Sequence, residues 1–183
     1  MRKNFGSKPW VYPQPVLMIG TYDENGRPNL MNAAWGGQYD SNLVMLCLSE
    51  HKTTANIRLK KAFTVSFATA STVVPCDYVG IVSANKEPDK VAKAGFTVSK
   101  SETVDAPIIN ELPLTLECRL VKFNEDGIVV GEILNVSADE SILTDGNVDY
   151  KKLDAIIFDP TSAAYIKLGE KVGKAFSDGN KIK

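Results

Sequence analysis

Leu114-Thr115-Leu116-Glu117-Cys118-Arg119-Leu120-Val121-Lys122-Phe123 leads into Asn124-Glu125-Asp126-Gly127 and then into Ile128-Val129-Val130-Gly131-Glu132-Ile133-Leu134-Asn135-Val136. The first run alternates, and a period of two sets one face of a strand on a core. The tetrapeptide is turn chemistry, with glycine where the backbone must reverse. The whole stretch therefore reads as a long antiparallel hairpin. The same grammar occurs earlier. Val16 to Tyr22 is a strand, Asp23-Glu24-Asn25-Gly26 a turn, and Arg27 to Ala34 the returning strand. Asn-Gly is a strong hairpin signal because both residues tolerate positive φ. Leu43-Val44-Met45-Leu46-Cys47-Leu48 is continuously apolar and reads as a strand buried on both faces. Phe63 to Ala68 alternates apolar with small polar residues, and Ala155 to Asp159 reads as a last short strand.

Helical signals are few. Thr53 to Lys61 offers a threonine N-cap and a basic end that suits the helix dipole. Pro88 to Gly95 has proline near its first turn and glycine at its end. Asp77 to Ser83 is a third short candidate. Hairpins outnumber βαβ crossovers, which points to a mainly β fold. The expected form is a closed antiparallel barrel with short helices packed outside it. No internal repeat or low-complexity linker divides the chain, so one domain over 1–183 is expected, ending in a polar tail from Phe176 to Lys183.

The 183 residues suffice to bury about 70% of the surface exposed by the unfolded chain, so no metal or disulfide staple is required. Hydrophobic residues make up 44% and charged residues 23%, which excludes collagen-like, disordered and coiled-coil classes. Lys plus Arg number 21 and Asp plus Glu 22, a net charge of −1. Such a chain has no electrostatic footprint for nucleic acid or an anionic membrane. Cys47, Cys76 and Cys118 are three and far apart, which argues against a disulfide framework or a zinc site and for reduced thiols in the cytoplasm. Met1 to Gly6 has a basic start without an apolar run, so it does not read as a signal peptide. The apolar runs fall far short of the roughly 20 residues of a membrane span. A single histidine, His51, excludes a His-His metal pair and leaves no Ser-His-Asp constellation to argue. No metal ligands and no catalytic acid or base are assigned.

Three stretches remain as candidate sites. In Leu46 to Ile57 a buried strand gives way to a helix start carrying Ser49, His51, Lys52, Thr53 and Thr54. Free N–H groups at a helix start bind anions, and hydroxyls and lysine add donors and charge. The same residues also read as an ordinary cap with a solvated lysine. Neither a GxxxxGK nor a GxGxxG pattern is present. In Gly26 to Gly37, Asn32-Ala33-Ala34-Trp35 sets small residues beside an aromatic, which lets a flat ligand approach the backbone, with Asn32 able to bond a polar ring edge. The alternative is a tight turn with Trp35 as core filler. Asp77 to Lys90 offers Ser83 and lysines to an anion, or is a solvated loop before a helix. Cys47 reads as a small core hydrophobe, and Cys76, after Pro75, as an exposed loop thiol.

Taken together, these stretches resemble the flavoredoxin-type flavin reductases. Trp10-Val11-Tyr12-Pro13-Gln14-Pro15-Val16 is similar to the family's opening Tyr-Pro-x-Pro-Val pattern. Gly26 to Trp35 is similar to its Gly-x-x-Asn segment. Ser49, Lys52-Thr53-Thr54 and Asn56-Ile57 are similar to its phosphate-binding turn, and Asp77, Gly80, Ser83 and Lys90 to its spaced Asp-Gly-Ser-Lys pattern. Ala106-Pro107, Leu116-Glu117-Cys118 and Val130-Gly131-Glu132-Ile133 also fit, so the likeness runs from about Lys8 to Gly179. The resemblance implies a split antiparallel β-barrel, Greek-key and FMN-binding, working as a homodimer. It implies that Asn32, Ala33, Ala34 and Trp35 line the isoalloxazine and that Ser49, Lys52, Thr53 and Thr54 hold the phosphate. Cys47, His51, Ser83 and Lys90 complete the implied cofactor set. Many relatives carry arginine before the threonine of the phosphate turn, whereas here His51-Lys52 stands there. Lysine keeps the charge without the bidentate fork. The implied activity is an FMN-dependent oxidoreductase passing electrons from NAD(P)H to an acceptor. The alternatives are an FMN electron carrier without NAD(P)H activity, and a split-barrel binder of another flat ligand such as haem.

Overall fold

The computed structural model describes residues 1–182, so Lys183 at the end of the expected tail lies outside the described residues. In chain order the strands are β1 (Gln14–Pro15), β2 (Leu17–Tyr22), β3 (Pro28–Ala33), β4 (Gly36–Asp40), β5 (Leu43–Cys47), β6 (Ala62–Phe67), β7 (Val98–Lys100), β8 (Pro107–Ile109), β9 (Leu114–Phe123), β10 (Ile128–Ala138), β11 (Leu143–Thr144), β12 (Asn147–Val148), β13 (Ile156–Asp159) and β14 (Ala164–Lys167). The α-helices are α1 (Lys52–Lys60), α2 (Val73–Ile81), α3 (Lys90–Lys93) and α4 (Tyr150–Leu153).

The principal sheet has seven strands in the order β3-β2-β6-β9-β10-β5-β4, each neighbouring pair antiparallel. Both hairpins expected from turn chemistry form. β2 pairs β3 around Gly26, whose φ is +75°, and β9 pairs β10 around Gly127, whose φ is +81°. The sheet curls: Met31 of β3 packs in one cluster with Val44 and Leu46 of β5, although those strands stand near opposite ends of the strand order. Two register shifts in the β9–β10 hairpin leave Val121 of β9 and Leu134 of β10 without an opposite residue, one irregularity in each strand, where local twist and bending increase. The terminal strands β3 and β4 do not pair with each other. The barrel is therefore split, as the resemblance implies, and not closed as the strand count alone suggests.

Two buried clusters lie on the two faces of this sheet. One, built around Leu17, Ile19, Leu46, Phe63, Val65 and Val129, fills the barrel and takes in Ile57 of α1. The other, with Met18, Leu30, Val79, Val91, Phe96 and Ile156, sits between the sheet and α2, α3 and β13. Successive residues Leu17, Met18 and Ile19 thus alternate between two cores, which makes β2 a strand buried on both faces, as its neighbour β6 also is. That corrects the expectation for Leu43 to Leu48. β5 alternates, with Val44 and Leu46 buried and Cys47 exposed, so Cys47 is not a core residue. Cys76 is corrected too: α2 begins at Val73, ahead of the expected Asp77, and holds Cys76 buried. Burial pushes its thiol up to about 11.

Candidate functional site

The long hairpin and the exit of β5 are locked together. The Leu48 N–H donates to the Gly127 carbonyl at 2.8 Å, and a Cβ on Gly127 would stand 2.3 Å from the Leu48 oxygen. Only glycine fits that left-handed turn against that backbone. The contact fixes where the chain leaves the barrel and turns into α1.

α1 begins at Lys52, with His51 as its N-cap, one residue earlier than a Thr53 cap would place it. Thr54 closes the cap from within. Its hydroxyl accepts from the His51 N–H and donates to the His51 carbonyl, both at 2.8 Å. Thr53 faces the hairpin: Asn29 Nδ2 donates to Thr53 Oγ1 at 2.7 Å, and Asn56 Nδ2 donates to Thr21 Oγ1 at 3.1 Å. Thr21, Asn29, Thr53 and Asn56 are all buried, so this polar cluster pins the helix start to β2 and β3. The first turn carries no acidic residue, and its leading N–H groups have no acceptor within the helix. Lys52 Nζ stands at that turn, paired with Glu24 Oε2 of the first hairpin turn at 2.9 Å. Its own backbone N–H, and after it the hydrogen bond and charge of Lys52, hold the Glu24 carboxyl below its ordinary range.

A cavity of about 390 Å³ opens beside the turn. Ser49, His51, Lys52 and Thr53 line one end, Asn32, Ala33, Ala34, Trp35 and Cys47 another, and Gly80 to Ala84 with Lys90 complete the wall. Of the residues expected from sequence, the cavity collects all but Thr54, which is buried beneath it as the internal cap. Trp35 is 56% exposed, so it is not core filler.

The wall from α2 is held by close approach and by polar contacts. A Cβ on Gly80 would lie 2.9 Å from Cβ of Asn32, so glycine lets α2 pack directly on β3. Asn32 Nδ2 donates to the Cys76 carbonyl at 3.4 Å and to Tyr165 Oη at 3.3 Å, while Tyr165 donates to Asp77 Oδ1 at 2.7 Å. Burial, aided by Asp77, pushes the Tyr165 hydroxyl up to about 12, so it stays a donor. Lys90 is 3% exposed, and its Nζ donates to the carbonyls of Val79 and Val82 at 2.7 and 2.8 Å. It therefore caps α2 from α3. Burial lowers its pKa to about 8.

Asn29 stands in the sequence as the asparagine of the Gly-x-x-Asn segment, without a role assigned to it, whereas nothing in the sequence assigns Glu24 or Tyr165 to the site. Asn29 is a polar side chain at a buried strand position, which is a usable signal. Glu24 and Tyr165 reach the site only through tertiary packing. The arrangement offers a cationic helix start to an anion at one end and a small-residue strip beside Trp35 to a flat group at the other.

The chain is similar in sequence and fold to several known proteins. Flavoredoxin of Desulfovibrio vulgaris (Miyazaki F) superposes with a TM-score of 0.94 at 40% identity, covering 98% of this chain and 100% of that one. Flavoredoxin from Methanosarcina acetivorans gives 0.91 at 28% identity, covering 100% of both chains. An uncharacterised protein of Archaeoglobus fulgidus is 30% identical over 147 residues, 76% of this chain and 80% of that protein. Among the described residues no helix is long and apolar enough to cross a membrane. The expected split barrel and family likeness are borne out. With the family model of the flavin reductase like domain matching residues 10–154, the chain belongs to that family.

Proposed function

We propose that this chain binds FMN and works as a flavin reductase-type oxidoreductase, taking electrons from NAD(P)H and passing them to an acceptor. The observation that carries the reading is the single cavity joining the first turn of α1, with Lys52, to the strip from Asn32 to Trp35. The residues present fit the cofactor. Ser49, Lys52, Thr53 and the leading N–H groups of α1 match a phosphate in charge and in donors. Ala33 and Ala34 leave room for a planar ring beside Trp35, and Asn32 is held in place by Cys76 and Tyr165. FMN, when bound, supplies the hydride and single-electron chemistry. The protein supplies orientation, charge and exclusion of water. Thr54 acts one layer down, holding the turn rather than the ligand.

The same reading takes the protein as a cytoplasmic homodimer, one FMN-binding domain spanning the chain. Three free thiols suit a reducing compartment. A flavoredoxin-like electron carrier is the second reading, favoured by the 40% likeness to the D. vulgaris protein.

The test is an anaerobic titration of the flavin-loaded protein. Bleaching of the flavin absorbance by NADH or NADPH is expected. Bleaching only by a chemical reductant would select the carrier. A protein that takes up no FMN would overturn both.

A further inference from the structure

Asn32 lines the candidate flavin cavity with an amide, whose two ends differ: the amino group donates and the oxygen accepts. The amino end is turned away from the cavity. Nδ2 donates to the Cys76 carbonyl at 3.4 Å and to Tyr165 Oη at 3.3 Å. α2 lies against the same end, since a Cβ on Gly80 would stand 3.7 Å from Nδ2. Oδ1 bonds none of these groups. Among the described residues, the one enclosed side-chain polar atom without a partner belongs to Gln14. Asn32 Oδ1 is therefore open, and with α2 and β14 behind the amino group it opens on the cavity.

The chemistry of the partners forbids the reversed amide. A backbone carbonyl only accepts, so an oxygen turned toward Cys76 would meet an oxygen with no proton to give. Tyr165 has a proton, but it is committed. Its hydroxyl donates to Asp77 Oδ1 at 2.7 Å, and a carboxylate only accepts. Burial, and after it the bond to Asp77, push that hydroxyl up to about 12, so the proton stays on Tyr165. The bonds therefore run one way, from Asn32 on β3 through Tyr165 on β14 to Asp77 on α2. A ligand that covers Oδ1 without donating to it costs that atom its hydration. The site thus favours a ring edge that carries an N–H. The oxidised isoalloxazine has a single N–H, at N3, and its other polar ring atoms are acceptors.

We propose that Asp77 and Tyr165 are positioning residues that hold the Asn32 carbonyl oxygen toward the cavity as the acceptor for the flavin N3–H. The inference rests on the FMN reading and goes further, naming the ring edge that is read and the two residues that set how it is read.

The test compares FMN with 3-methyl-FMN, in which a methyl group replaces the N3 hydrogen. Fluorescence titrations give both affinities for the full chain, for Tyr165→Phe and for Asp77→Ala. Nuclear magnetic resonance of FMN isotopically labelled at N3 follows the N3 proton. The wild-type chain is expected to bind FMN about tenfold more tightly than the methyl compound and to slow exchange of the N3 proton with water. Tyr165→Phe removes the acceptor behind the amide. Asp77→Ala frees the tyrosine proton to turn toward Asn32. Both variants should shrink the preference for FMN severalfold and leave the affinity for 3-methyl-FMN nearly unchanged. A preference that came from the bulk of the methyl group alone would survive in both variants, and that result overturns the proposal. Survival in Asp77→Ala alone overturns the part assigned to Asp77. Equal affinities for the wild-type chain, or an N3 proton that exchanges as fast as in free FMN, overturn the proposal without recourse to any variant. A wild-type chain that takes up neither flavin overturns the FMN reading and this inference with it, whereas one that takes up both alike overturns this inference alone.

Discussion

Lys52 and Thr54 sit two residues apart on one helical turn, and the structure gives them different work. Lys52 is paired to Glu24 at 2.9 Å, an ion pair whose acidic partner is 59% exposed. Such pairs contribute about 0–1 kcal/mol, whereas a charge-assisted bond to a phosphate contributes about 1.5–3 kcal/mol. Lys52 should therefore exchange Glu24 for the phosphate. Lys52→Ala is expected to weaken FMN binding roughly ten- to a hundredfold and to leave riboflavin, which lacks the phosphate, nearly unaffected. Thr54→Val removes the internal cap instead. It should lower stability by about 1 kcal/mol and weaken both flavins alike. Paired titrations on the two variants check this, and equal losses in Lys52→Ala would refute the phosphate contact. Trp35 lies on the same cavity, so FMN should quench its fluorescence. The titration belongs in Trp10→Phe, which removes the other indole, and unchanged emission at saturation would count against placing Trp35 by the ring.

α2 shows what a local reading finds and what it misses. The hairpins are legible because Asn25-Gly26 and Asn124 to Gly127 carry their own turn chemistry. The strip from Asn32 to Trp35 and the turn from Ser49 to Thr53 are legible as residue types suited to a flat group and an anion. The start of α2 is not legible. Val73 and Val74 are β-branched and Pro75 looks like a breaker, yet proline is tolerated in a helix's first turn, and the helix takes in all three. The continuous apolar run of β5 cannot say how many of its faces are buried, since that depends on where the sheet's second core lies. The end of α2 is set by Lys90, eight or more residues downstream, which bonds the Val79 and Val82 carbonyls. Burial lowers its pKa from 10.5 to about 8. The unfolded chain then holds this proton more tightly than the folded one. Unfolding takes up a proton between those values, and stability rises with pH across that window. A neutral amine still has two N–H groups for the two carbonyls. Cys76 and Cys118, raised by burial to about 11 and about 12, act in the opposite sense above their ordinary value of 9.0. Comparison with Lys90→Met cancels them. Wild type is expected to gain up to about 3 kcal/mol on the variant between pH 8 and 10.5, read from urea midpoints. A constant difference across that range would show that Lys90 does not titrate there.

At the scale of the whole molecule, the split barrel leaves β10 longer than one of its partners. Its pairing with β5 ends at Glu132↔Leu43, while its pairing with β9 runs on to Ala138↔Leu114. Beyond Ile133, which donates to the Asn42 carbonyl, β10 is an edge. Leu134 and Val136 stand on that edge 41% and 52% exposed. An apolar edge invites another chain, and natural sheets protect such edges with charge, proline or cover. Here the exposed residues are Leu134, Asn135 and Val136, with neither charge nor proline among them, so cover by a second copy is the consistent solution, and two-fold pairing of identical patches is the commonest form it takes. Sedimentation at micromolar concentration should give twice the 19.9 kDa of one chain. Leu134→Lys combined with Val136→Lys sets like charges against each other across a two-fold axis and should bring the mass down to one chain. Neither residue lines the candidate flavin cavity. Any loss of FMN affinity in that variant would therefore come from the missing partner and not from a damaged pocket. Flavin-loaded wild type sedimenting as a single chain would refute the homodimer.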